Sequence, residues 1–76
     1  MTNSEIVEKL EIVRNKGNCH YTNVIARKNF TDLKGFITKP EYEEISIALN
    51  HVAIGEGAGE LNSILHKITN KYRDLV

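Results

Sequence analysis

The sequence predicts an all-α fold, a small bundle of three main helices with an irregular middle segment, and three observations lead there. Apolar residues recur at helical spacing in three stretches, near the start, from residue 40, and from residue 59 to the end. Each stretch carries capping, proline or glycine signals at its bounds. No second convincing strand exists to pair with the single β-favouring run in the middle, and an isolated strand or hairpin is marginal in water. With 76 residues the chain makes one small domain, 1–76, which buries a modest fraction of its surface.

The first helix is expected over Asn3–Lys16. Thr2 and Glu5 make a capping-box pair, and Ile6, Val7, Leu10 and Val13 share one face. Acids lie early and Arg14 and Lys16 late, as the helix dipole favours. Gly17 is the expected stop, as a residue that takes the left-handed conformation without steric cost. The middle segment from Asn18 to Thr38 stays open between strand, extended chain and a short helix capped by Thr22 with Val24, Ile25 and Lys28 following. Thr31 and Asp32 can cap a further short turn carrying Leu33, Phe36 and Ile37.

Pro40 sits well in a first helical turn, and Glu41, Glu43 and Glu44 suit its positive end, so the next helix is expected over Pro40–Ile54. Tyr42, Ile45, Leu49, Val52 and Ala53 form its main apolar face. Ile47 and Ile54 lie nearly opposite, with His51 between them and Ala58 next in line. A helix with two apolar stripes is either central to the domain or shared with a second subunit. The short chain has few elements to cover both, so Ile47, His51, Ile54 and Ala58 are the expected surface of a homo-oligomer. The last helix, Gly59–Leu75, places Leu61, Ile64, Leu65, Ile68, Tyr72 and Leu75 on one face. The last two helices should fold antiparallel, with the first covering the groove between them. The expected core is Ile6, Leu10, Val13, Ile45, Leu49, Val52, Leu61, Ile64, Leu65, Ile68 and Tyr72.

Formal net charge is zero, yet charge is unevenly spread. From Arg14 to Lys39 the basic residues are Arg14, Lys16, Arg27, Lys28, Lys34 and Lys39 against Asp32 alone. From Pro40 to Glu60 there are acids at Glu41, Glu43, Glu44, Glu56 and Glu60 and no Lys or Arg. Such a dipolar chain is suited to pair with itself or to offer one charged face to a partner. The richness in Ile, Asn and Lys fits a low-GC bacterial or phage genome, and hence an accessory protein of a phage or mobile element. The lone Cys19 rules out an internal disulfide and fits a reducing, cytoplasmic setting. No apolar run is long enough to span a membrane.

Gly55-Glu56-Gly57-Ala58-Gly59 separates the last two helices. It reads as a turn, as a close crossing of backbones, or as an anion cradle of successive amides. The break in phase between the flanking apolar stripes favours the turn. As a cradle it would need basic residues from elsewhere, Arg27 and Lys28 or a neighbouring subunit, because Glu56 and Glu60 repel phosphate, and neither a dinucleotide fingerprint nor a P-loop is matched. Gly55, Gly57, Gly59, Arg27 and Lys28 are therefore the candidate ligand residues. The alternating basic and aromatic residues Arg27, Lys28, Phe30, Lys34 and Phe36 allow a nucleic-acid contact extending to Lys39. Neighbouring Cys19 and His20 lack a third orienting group, so no nucleophile is assigned. His20, His51 and His66 lack metal-ligand spacing, and Ile47 and Ala48 stand where a magnesium site on Glu41, Glu43 and Glu44 would need further acids. The expectation is a non-enzymatic binding or regulatory protein without cofactor or metal. It self-associates and binds a host protein or a small, nucleotide-like anion; the alternative is a nucleic-acid-binding module using residues 27–39.

Overall fold

The computed structural model describes residues 1–18, 21–53, 55 and 58–76, with only the backbone of Ala53 and Ala58. Four helices form among them: α1 (Asn3–Lys16), α2 (Asn23–Asp32), α3 (Lys39–Ala53) and α4 (Ala58–Arg73). The all-helical expectation holds over these residues. α2 lies in the segment expected to be irregular, where a short helix after Thr22 is one of the readings the sequence allows.

α1 begins as the sequence indicates. Thr2 Oγ1 accepts from the Glu5 amide at 3.2 Å, and Glu5 Oε1 accepts from the Thr2 amide at 3.2 Å. Its end differs from the expectation. Gly17 has φ −69°, a right-handed conformation open to any residue, so the turn does not call for glycine. Space does: a Cβ there would lie 2.6 Å from the Val13 carbonyl oxygen, 3.0 Å from Leu61 and 3.3 Å from Leu49. The missing side chain lets the end of α1 sit against α3 and α4.

Thr22 precedes α2, but its hydroxyl donates back to the Lys16 carbonyl at 2.7 Å rather than capping α2. The Asn23 side-chain Nδ2 donates to the Gly17 carbonyl at 3.1 Å. These two bonds tie the start of α2 to the end of α1. The buried stripe of α2 is Ala26, Phe30 and Leu33, continued by Ile37 beyond the helix. Val24 and Ile25, the residues that suggested a strand, are instead exposed. Gly35, with φ +87°, turns the chain toward α3 in the left-handed region that glycine occupies freely.

Thr38 and Glu41 form a second reciprocal cap at the start of α3. The Thr38 amide donates to Glu41 Oε1 at 2.9 Å, and the Glu41 amide donates to Thr38 Oγ1 at 3.3 Å. Gly55, with φ +85°, lies between α3 and α4 and supports the turn reading of the glycine-rich stretch. Gly57 and the rest of that stretch up to Ala58 lie outside what is described.

Cross-links show how the helices run. Lys9 of α1 pairs with Asp32 of α2, Arg14 with Asn62 of α4, and Arg73 with Glu11. Glu41 of α3 reaches Lys71 and Tyr72 near the end of α4, while His51 near the end of α3 meets Glu60 at its start. α4 is therefore antiparallel to both α1 and α3, and α1 is antiparallel to α2. At backbone level α1 packs on α2 and α4, and α3 packs on α4. No Cα of α3 comes within 8 Å of one in α1 or α2. α1 thus lies beside α4 rather than over an α3–α4 groove, and the spatial order is α2, α1, α4, α3. Side chains close the remaining seam: the Phe30 and Tyr42 rings stack with centroids 4.2 Å apart and planes at 17°.

The core contains every residue expected there, with Val52 and Ile64 only partly buried against it. Phe30, Leu33, Ile37 and Ala48 complete the cluster, and Ala26 and Thr69 are also buried. Among the described residues no helix is long and apolar enough to cross a membrane.

Candidate functional site

The wide seam between α2 and α3 concentrates the surface features that the core does not use. α2 turns Ala26 and Phe30 inward, so helical geometry carries Arg27 toward α3 and Val24 and Lys28 toward solvent. α3 turns Ile45 and Leu49 inward, which leaves Ile47 opposite the core, between Glu43 and Glu44 at one end and Asn50 at the other. Val24 is 77% exposed, Ile25 48% and Ile47 54%. The exposed position of Ile47 is the one its spacing indicates.

Arg27 is committed to the protein itself. Its Nε donates to Asn23 Oδ1 at 2.7 Å, and Nη2 donates to the Leu49 carbonyl at 3.4 Å across the seam. Lys28, Lys34 and Lys39 are exposed and make no ion pair among the described residues. Lys9, Lys71 and Arg73 each meet a carboxylate.

At the end of the seam near the α2–α3 connection a groove of about 520 Å³ opens to solvent. Lys34, Gly35, Ile37, Lys39, Tyr42 and Glu43 line it. Ile37 and the Tyr42 ring give it an apolar floor, and Phe30, stacked against Tyr42, fixes that ring. The glycine at residue 35 removes a side chain from the wall. Sequence reasoning named Lys34 and Lys39 within the basic segment but did not join them to Ile37 and Tyr42. The signal was the turn at Gly35 followed by the Thr38–Glu41 cap, which folds residues 34–43 back on themselves.

The other proposed ligand residues are not drawn together by any described contact. Gly55 is exposed with open space where a side chain would stand, and Gly59 lies in the first turn of α4 with equally open surroundings. His51 Nδ1 and Glu60 Oε2 are 3.1 Å apart beside that helix start, which puts a carboxylate where a bound anion would need positive charge. His51 is thereby partnered with α4 rather than presented with Ile47. Gly57 and Ile54, and the side chain of Ala58, lie outside the described residues. So do Cys19 and His20. Among the described residues no three His, Cys, Asp or Glu side chains gather where they could hold a metal ion.

The strongest electrostatic perturbation lies away from this surface. Burial pushes the Glu41 carboxyl up, but hydrogen bonds from Lys71, from the Thr38 hydroxyl and amide, and from Tyr72 outweigh it and bring the pKa to about 2. Lys71 Nζ and the Tyr72 hydroxyl each lie 2.8 Å from the carboxylate. Burial and the same carboxylate raise the Tyr72 phenol. The members of this cluster are partnered with one another, and it joins α3 to α4.

No family model, curated protein or solved structure matches the chain.

Proposed function

We propose that the chain is a small, non-enzymatic binding or regulatory protein that self-associates through the outer faces of α2 and α3. The observation that carries this reading is the pairing of exposed apolar residues with opposite charges on the two faces. Val24 and Ile25 stand beside Lys28 on α2, and Ile47 stands beside Glu43 and Glu44 on α3. A two-fold axis laying α2 of one copy on α3 of the other would bury the apolar residues twice. It would also set Lys28 against glutamates twice, since an isologous contact repeats every pair.

A monomer must leave these side chains in water. Burying a side chain of the size of Ile or Val is worth about 1.5–3 kcal/mol when complete, and several together can offset the loss of rotational freedom on association. A host protein bearing a matching apolar and acidic face would be received by the same α2 surface. The opposed reading, a nucleic-acid-binding module, draws support from the exposed Lys28, Lys34 and Lys39, and it requires affinity that falls steeply with salt.

Light scattering tests the first reading. The wild-type chain is expected above its 8.6 kDa monomer mass, and Ile47→Glu is expected at that mass with its helical content unchanged. A monodisperse wild-type monomer at high concentration overturns self-association through this face.

A further inference from the structure

We infer that the groove at the α2–α3 connection binds a free nucleoside monophosphate, with the base on Ile37 and Tyr42 and the phosphate between Lys34 and Lys39. Three properties of the groove lead to that class of ligand. Its volume of about 520 Å³ falls within the ordinary range for small-molecule sites, about 300–1,000 Å³. Its floor holds one aromatic ring, already immobilised by the Phe30 stack at 4.2 Å, so a base can stack there without first ordering the protein. Its lining includes two lysines without carboxylate partners among the described residues, Lys34 in the connection and Lys39 in the first turn of α3.

The acid in the lining narrows the ligand further. Glu43 lines the same groove and makes no ion pair among the described residues. A carboxylate there would repel a purely anionic ligand, but it accepts hydrogen bonds from a ribose hydroxyl or an exocyclic amine. An apolar ring with a phosphate at one end and donors along its edge uses all of these groups. An aliphatic carboxylate would leave Glu43 opposed, and inorganic phosphate would leave the floor bare.

A single free nucleotide suits the surroundings better than a strand. A strand needs a run of cations for successive phosphates. Of the two cations on α2, Arg27 is held by Asn23 and the Leu49 carbonyl, and Lys28 faces solvent away from the seam rather than continuing the line from Lys34. Beyond Lys39 on α3 come Glu43 and Glu44. The site lies within one chain, so it does not depend on the self-association proposed above, and a monomer would still carry it.

The test is a titration of the full chain with AMP, GMP, CMP and UMP, read by amide chemical shifts. Adenosine, inorganic phosphate and a ten-nucleotide single strand serve as controls. At least one monophosphate is expected to shift the amides of residues 34–43, with its nucleoside and inorganic phosphate each binding more weakly. Lys34→Ala and Lys39→Ala alter exposed side chains and leave the fold intact; each should weaken binding about fivefold, the upper range for an exposed ion pair. Tyr42→Leu should weaken it about tenfold, in keeping with the loss of a stacking surface. The inference is overturned if no monophosphate perturbs residues 34–43 at millimolar concentration, or if the shifts map to Gly55–Gly59. Tighter binding of the ten-nucleotide strand than of every monophosphate also overturns it, in favour of nucleic acid.

Discussion

Replacing Glu41 by Gln should remove most of the acid sensitivity of this fold. The carboxylate accepts from Lys71 Nζ and the Tyr72 hydroxyl at 2.8 Å each and from the Thr38 amide at 2.9 Å. Together these hold its pKa at about 2 against a reference of 4.5. At about 1.4 kcal/mol per pH unit, that difference is worth about 3 kcal/mol. Lys71 is half exposed, so solvent screening reduces the figure, and about 2 kcal/mol is the expected loss in Glu41→Gln at pH 7.

The direction with pH follows from linkage. A carboxyl whose folded pKa lies below its unfolded value stabilises the fold fully above the unfolded pKa, and that stability is lost as pH falls through the folded one. The wild-type chain should therefore lose stability between pH 4.5 and about 2, while Glu41→Gln should show a flatter curve across that window. Urea unfolding followed by circular dichroism at a series of pH values measures both. Equal slopes for the two proteins below pH 4.5 would refute the assignment, whatever the offset at pH 7.

Two further substitutions probe packing. Gly17→Ala places a methyl group against the Val13 carbonyl, Leu61 and Leu49, and should cost about 1–3 kcal/mol, the usual cost of overpacking. A thermal melt within a degree of wild type would show that the end of α1 yields freely. Thr69 is 1% exposed and its hydroxyl has no hydrogen-bond partner among the described residues, so Thr69→Val, which keeps the shape, should raise stability by about 1 kcal/mol in denaturant unfolding. A loss instead would mean that the hydroxyl is satisfied in solution.

The terminal helices were legible in the sequence because several signals agreed there. For α1 the capping box, the stripe from Ile6 to Val13 and the late cations all point to the observed Asn3–Lys16. α2 was obscured because its β-branched residues sit on the wrong side. Val24 and Ile25 drew the eye toward a strand, yet the buried stripe is Ala26, Phe30, Leu33 and Ile37, a helical spacing that was readable. Gly17 shows a different limit. Glycine at a helix end suggests a left-handed cap, whereas here residues distant in sequence demand its small size. The groove was hidden for a local reason, since the turn at Gly35 brings Lys34 and Ile37 beside Lys39 and Tyr42 of α3. Ile47 is exposed, as its position opposite a strong core stripe indicates.

The order α2, α1, α4, α3 in space has a consequence for how the fold is assembled. The two middle positions belong to the helices farthest apart along the chain, joined by Arg14 to Asn62 and Glu11 to Arg73. α1 with α2 and α3 with α4 pack as hairpins of sequence neighbours, and joining the two hairpins through α1 and α4 closes the longest loop, so loop-closure entropy weighs on that step. α2 and α3 then hang as leaves on a central pair, latched to one another by side chains alone. Opening either leaf would expose part of the common core, Phe30 and Leu33 on one side or Ile45, Ala48 and Leu49 on the other. The latch is the Phe30–Tyr42 stack together with the Arg27 bond to the Leu49 carbonyl, so whatever rests on Tyr42 also bears on whether the leaves are closed.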